Sequence, residues 1–246
     1  MILIVGNNHD DVLYYESKLR NKTEEKLYKR FPFVTGTLFS QKVGVVYGVY
    51  TNYVSSMIVS EIIKNNHVVL VINVGRCQSL PGDVKVGDVA ISRQVYLGEV
   101  SLLDVENSLL GQVPGFPQYH LCDHYALEMM NDCFNRVASK QFSHVCSFIS
   151  LERYINKASD LDDINLNNMF FGQTKNIVFD NNSGGISLAC TIHDVPMVSV
   201  KVVESYVGEP RTLNGYVSIL KKYSELGKAV TACIGEISRN EVIMGK

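Results

Sequence analysis

The chain has 246 residues, 46% of them hydrophobic, and its 23 basic and 25 acidic side chains leave a formal net charge of -2 at pH 7. This balance argues against a nucleic-acid partner, because the basic residues are scattered and form no stripe with interleaved aromatics. No apolar run reaches the roughly 20 residues that a bilayer span needs, and the apolar stretch 1–5 is too short for a signal peptide, so a cytoplasmic protein with no membrane partner is expected.

Residues 1–5 read as a short buried strand ending at Gly6. The loop Asn7-Asn8-His9-Asp10-Asp11 follows, and then a helical pattern carried by Val12, Leu13 and Leu19. Asp10 or Asp11 can cap that helix, while Asn7, His9 and Asp11 stand where a first βα loop presents groups to a ligand. The segment 22–30, KTEEKLYKR, reads as a charged connection to two strands, 36–40 and 43–50, joined by Gln41-Lys42. Val54, Met57, Ile58, Ile62 and Ile63 form the stripe of an amphipathic helix over 53–64. A strand at 68–74 follows directly, and this order predicts a crossover unit in a parallel sheet.

Gly75 is expected to break that strand, Pro81-Gly82-Asp83 to turn the chain, and 88–92 to form a second buried run. Ligands of open α/β sheets lie beyond the carboxyl ends of such strands, which makes 73–79 the first place to seek a site. A turn glycine at a strand end accounts for the same local pattern. Residues 95–120 are irregular, and 111–117 the least structured part, suited to a lid or an oligomer contact. A helix is predicted over 123–137 with Leu127, Met130, Cys133 and Phe134 inward, then a strand over 145–151. Tyr154 is placed either to stack on a base or to cover the core. A short strand at 176–179 precedes Asp180-Asn181-Asn182-Ser183-Gly184-Gly185, a helix over 186–193, and a buried strand over 197–203 that leads into Glu204-Ser205. The last helix spans 212–237, with an interruption allowed at Gly227. No linker divides the chain, so one domain over 1–246 is expected. The six cysteines have no CxxC spacing and read as buried free thiols; Cys122-Asp123-His124 lacks two further ligands, and no metal site is expected.

Several motifs, in order, resemble the nucleoside phosphorylase superfamily, and within it the 5'-methylthioadenosine/S-adenosylhomocysteine nucleosidases. They are the glycine and acidic loop of residues 6–11; Asn73, Gly75, Leu80, Lys85, Val86, Gly87 and Asp88; the loop 111–117; Ser150, Tyr154, Ile155 and Asn156; and the Val-Pro strand start at 195–200. The resemblance implies an α/β fold, a three-layer α/β/α sandwich with a central mixed sheet. It also implies a homodimer, a purine nucleoside ligand, no cofactor, and hydrolysis of an N-glycosidic bond that releases adenine. That chemistry needs a base to align water, an acid to protonate the purine, and a group that grips the ribose hydroxyls.

Carried over position by position, the family's water-activating Glu falls on Asp11 and its ribose-binding Glu on Asn182. The acid before the latter is Asp180, with Asn181 between them. The purine-protonating Asp falls on Ser205, preceded by Glu204. Tyr154 and the backbone of Ile155 form the base platform. Pro114 lies in the loop lent to a partner's site, Leu103 offers an apolar contact, and Glu106 replaces an aromatic residue. The family's glycine turns become Val49-Tyr50-Thr51-Asn52 and Arg76-Cys77-Gln78-Ser79, which narrows the pocket beside Gly75. Arg76 is the sole candidate for the anion site that a phosphorylase would need. The expectation is a nucleosidase-like protein related to enzymes that hydrolyse methylthioadenosine and adenosylhomocysteine, with Asp11 as base, Glu204 as acid, Asn182 for the ribose and Tyr154 for stacking. The alternative is a non-catalytic nucleoside-binding or interaction protein on the same fold.

Overall fold

The computed structural model describes residues 1–103, 105, 107–137, 142–162, 164, 176–209 and 213–239. Strand β1 (Ile2–Gly6) is buried along its whole length. It pairs in parallel with β4 (Gln41–Val46) on one side and β5 (Leu70–Ser79) on the other. Strands with no polar face need cover on both sides, and β1 shows how it is provided. Ile2 and Ile4 face one core, with Val12 and Tyr15 of α1 (His9–Lys18), Met130 and Phe134 of α3 (His124–Val137), and Leu226 and Val230 of α5 (Leu213–Arg239). Leu3 and Val5 face the other, with Ile58 and Ile62 of α2 (Asn52–Asn65) and Ile186 and Ala189 of α4 (Ser183–Ile192). Helices thus cover both faces of one sheet, the three-layer α/β/α arrangement expected.

The sheet is mixed. Its path runs β10 (Met197–Tyr206), β6 (Val89–Leu97), β8 (Ser143–Ser150), β9 (Ile177–Asp180), β5, β1, β4, β3 (Phe31–Leu38) and β2 (Arg20–Leu27), and β10 also pairs with β5. Consequently β5, β10, β6, β8 and β9 close into a ring. The seam is short, formed by Gln78 and Ser79 lying antiparallel to Phe179 and Val178. A third core, containing Ile149, Ile155, Ile177, Phe179 and Val207, gathers at this end.

Several sequence expectations are corrected. The charged segment 22–30 is largely strand: β2 (Arg20–Leu27) lies antiparallel to β3 (Phe31–Leu38). It is exposed on both faces and carries no apolar alternation to betray it. β3 and β4 meet through Phe39 and Ser40, both at positive φ, and not through Gln41-Lys42. β5 continues through Gly75 to Ser79, because a glycine at φ +146 stays in the strand without a side-chain clash. α5 shows no interruption at Gly227, where an added Cβ would lie 2.4 Å from the Tyr14 ring; the glycine lets α1 and α5 approach. Thr212, given as the start of that helix, lies outside the described residues, as does Glu106. The 111–117 loop is stitched by Gln112, whose side chain accepts from Leu109 N–H at 2.8 Å and donates to the Phe116 carbonyl at 2.8 Å. All six cysteines are free and buried. No helix among the described residues is long and apolar enough to cross a membrane.

β7 (Tyr119–Leu121), a strand not anticipated in the irregular region, pairs with β6 and buries His120 against α4. His120 Nδ1 lies 2.7 Å from Thr191 Oγ1, and burial lowers the imidazole pKa below its ordinary value. A group held neutral by folding binds more protons when unfolded, so its contribution is present above the unfolded value of about 6.5 and is lost as pH falls below it. Urea midpoints measured at about pH 7.5 and about pH 5.5 should therefore fall more in the unmodified protein than in His120→Gln.

Candidate functional site

The carboxyl ends of β1, β5, β9 and β10 converge, and the side chains there form a cleft of about 160 Å³. It is lined by residues from the first βα loop (Asn7, Asn8), from β5 (Arg76, Cys77, Gln78), and by Tyr50, Arg153, Tyr154, Phe179, Asp180, Asn181 and Glu204. The cleft is smaller than the roughly 300–1,000 Å³ typical of small-molecule pockets.

Asp11 sits in the first turn of α1, where a carboxylate suits the positive helix end. Its Oδ2 accepts from the N–H groups of Asn7 at 3.1 Å and Asn8 at 2.9 Å. Gly75 makes room for it: an added Cβ would lie 3.3 Å from the same oxygen. Asp11 Oδ1 lies 3.6 Å from Arg76 Nε, and Arg76 Nη1 lies 3.8 Å from Glu204 Oε2. One guanidinium therefore stands between the two carboxylates named as base and acid. Behind them Tyr223 of α5, which sequence reasoning missed, is buried beside Asp11. Burial, then the Asp11 charge, pushes the Tyr223 phenol well above its ordinary pKa.

Asn182 is fully buried at the start of α4. Its Oδ1 accepts from Lys201 Nζ at 2.5 Å and from Asn73 Nδ2 at 3.2 Å, and its Nδ2 donates to Asn7 Oδ1. Asp180 Oδ2 pairs with Lys201 Nζ at 2.5 Å and accepts from the Ser183 backbone at 3.2 Å and from its hydroxyl, while Oδ1 has no hydrogen-bond partner. Ser183 and Ser199 hydroxyls lie 2.9 Å apart, and Asn73 Nδ2 donates to both, at 2.9 Å and 3.1 Å. Lys201 is the second buried residue near the cleft that sequence reasoning missed. The available signal was a lysine inside the otherwise apolar run 197–203.

Ser205 does not line the cleft; its Oγ lies 2.6 Å from the Tyr154 hydroxyl. Asn181 Oδ1 accepts from Asn7 Nδ2 at 2.7 Å. Ile155 is buried, its N–H and carbonyl both bonded to the Gln78 amide. His9 turns away, stacked on Tyr47 at 4.6 Å with Nε2 2.9 Å from Glu16. The structure thus brings Asp11 and Gly75 against Arg76, which together with Glu204, Tyr154, Asp180 and Asn181 lines the cleft. Leu103 is exposed and Pro114 half-buried, and neither lines it. Among the described residues, no three His, Cys, Asp or Glu side chains are grouped to hold a metal ion.

No protein-family model and no curated protein matches the sequence. Solved structures do match. A 5'-methylthioadenosine/S-adenosylhomocysteine nucleosidase from Neisseria meningitidis, in complex with methylthio-immucillin-A, superposes with a TM-score of 0.84 over 96% of this chain and 98% of that one, at 16% identity. This is the fold of the methylthioadenosine/adenosylhomocysteine nucleosidases. The nucleosidase from Colwellia psychrerythraea, in complex with adenine, also gives 0.84, over 96% and 94% of the two chains at 17% identity. That from Campylobacter jejuni gives 0.82, over 96% and 98% at 12% identity. On this nucleosidase fold the cleft stands at the carboxyl edge of the sheet.

Removing the ammonium from beneath the cleft leaves Asp180 as a buried, uncompensated charge, a loss of about 3–5 kcal/mol. Lys201→Met should therefore cost about that much in urea denaturation, and the double variant Lys201→Met/Asp180→Asn should recover a large part of it.

Proposed function

We propose that this chain is a non-catalytic binding protein on the nucleosidase fold, whose cleft takes a small polar ligand of the purine nucleoside class. The observation that carries the reading is that Asp11, Asn182 and Ser205 do not line the cleft, although they occupy the positions corresponding to base, ribose grip and acid. Each is bonded within the protein instead: Asp11 to the first loop, Asn182 to Lys201, Ser205 to Tyr154. Catalysis requires groups aimed at a site that a reacting atom can occupy. Recognition requires less. The cleft keeps an aromatic ring in Tyr154, a carboxylate oxygen of Asp180 without a hydrogen-bond partner, and the polar side chains of Asn181, Arg76 and Glu204. These groups suit hydroxyl donors beside a planar ring. Two of the solved neighbours are in complex with methylthio-immucillin-A and with adenine, which supports the same ligand class here.

A single domain over 1–246 and a cytoplasmic, cofactor-free homodimer complete the proposal. Its support for dimerisation is the exposed apolar stretch of Leu102, Leu103, Val105 and Leu109 next to the 111–117 loop. Surface patches of this kind mark association sites.

A second reading, a residual hydrolase, is favoured by one observation: Asp11 and Glu204 approach the same guanidinium. Incubating the pure protein with methylthioadenosine, adenosylhomocysteine and inosine, with and without phosphate, separates the two. Saturable binding without release of free base is expected. Release at enzymatic rates that falls by about 100- to 10,000-fold in Asp11→Asn and Glu204→Gln would establish the hydrolase instead.

A further inference from the structure

Gln78 lies near the end of β5, is 3% exposed, and lines the cleft. Its side-chain oxygen accepts from the Ile155 N–H at 2.9 Å, and its amide donates to the Ile155 carbonyl at 2.9 Å. The segment around Ile155 follows β8 and pairs with no strand. Gly208 N–H adds only a long bond of 3.4 Å to the same carbonyl. Gln78 is therefore the main partner of both backbone groups, and Tyr154 and Phe179 border the space beside it.

A primary amide bonded in this way presents one donor next to one acceptor in a plane. Adenine presents the same pattern through its amino group and a neighbouring ring nitrogen. The Ile155 backbone belongs to the base platform that the resemblance implies; we infer that Gln78 occupies its donor–acceptor edge as an internal surrogate, so that residue 78 decides whether the cleft takes a nucleobase. The inference rests on the nucleoside-class reading of the cleft. An incoming base must break both bonds and displace an amide tethered to the same site, a competitor whose effective concentration no dilution lowers. Shortening residue 78 removes the competitor, leaves the Ile155 groups in need of partners and opens space beside the two rings.

The test compares the unmodified protein with Gln78→Ala and Gln78→Met by equilibrium dialysis against adenine and N6,N6-dimethyladenine. Methionine keeps the bulk but forms neither bond. Gln78→Ala should bind adenine about tenfold or more tightly than the unmodified protein, from two hydrogen bonds no longer contested. Gln78→Met should show no gain, and dimethyladenine, which lacks the donor, should gain nothing from Gln78→Ala. Equal adenine affinity in Gln78→Ala and the unmodified protein, or equal binding of the two purines by Gln78→Ala, overturns the inference. Should Gln78→Ala fold poorly, a rise in its Tm with adenine supports the inference and no rise overturns it. Base release by the unmodified protein overturns the preceding functional reading alone, whereas a missing gain in Gln78→Ala overturns only this one.

Discussion

A lysine ammonium with no exposure to water, in the middle of a sheet, is the constraint around which this end of the molecule is arranged. Charge in an apolar interior must be paired and hydrogen-bonded, and Lys201 finds Asp180 and Asn182, each at 2.5 Å. Those partners end β9 and begin α4, so the requirement ties both to β10. Asn73 draws in β5 through Asn182, and Asn7 draws in the first loop. One cation thereby fixes the relative positions of elements distant in the chain, and with them the floor of the cleft.

The same economy extends across the carboxyl edge of the sheet. Arg76 stands between two carboxylates, Ser205 meets Tyr154, and Gln78 meets Ile155. Polar groups in a low-dielectric site are costly when left unmatched and mutually reinforcing when matched. Much of this edge is matched internally. A ligand entering this edge would have to compete with contacts already made.

Much of the layered fold was legible because it is written in burial patterns. The β-branched runs at 1–5, 69–74 and 197–203 marked central strands, and the stripes at 53–64 and 123–137 marked helices. β2 was not legible, since exposure on both faces erases the alternation on which strand reading depends. At the site, the positions of Asp11, Gly75 and Tyr154 followed from motif order, but their partners did not. Hydrogen bonds such as Gln78 to Ile155 join residues 77 apart in sequence, and no local spacing records them. Tyr223 was hidden for a different reason: on a long amphipathic helix it reads as one more core aromatic, and only packing shows that it lies behind Asp11.

Strand β2 has a consequence for how copies of this protein can meet. An outermost strand offers a row of unpaired backbone groups to any other extended chain. Here that rim carries Arg20, Lys22, Glu24, Glu25 and Lys26, all of them exposed. A second molecule adding its own strand would have to strip water from these charged side chains. Sheet extension is therefore disfavoured at this margin, which leaves self-association to surfaces where side chains, and not backbones, make the contact.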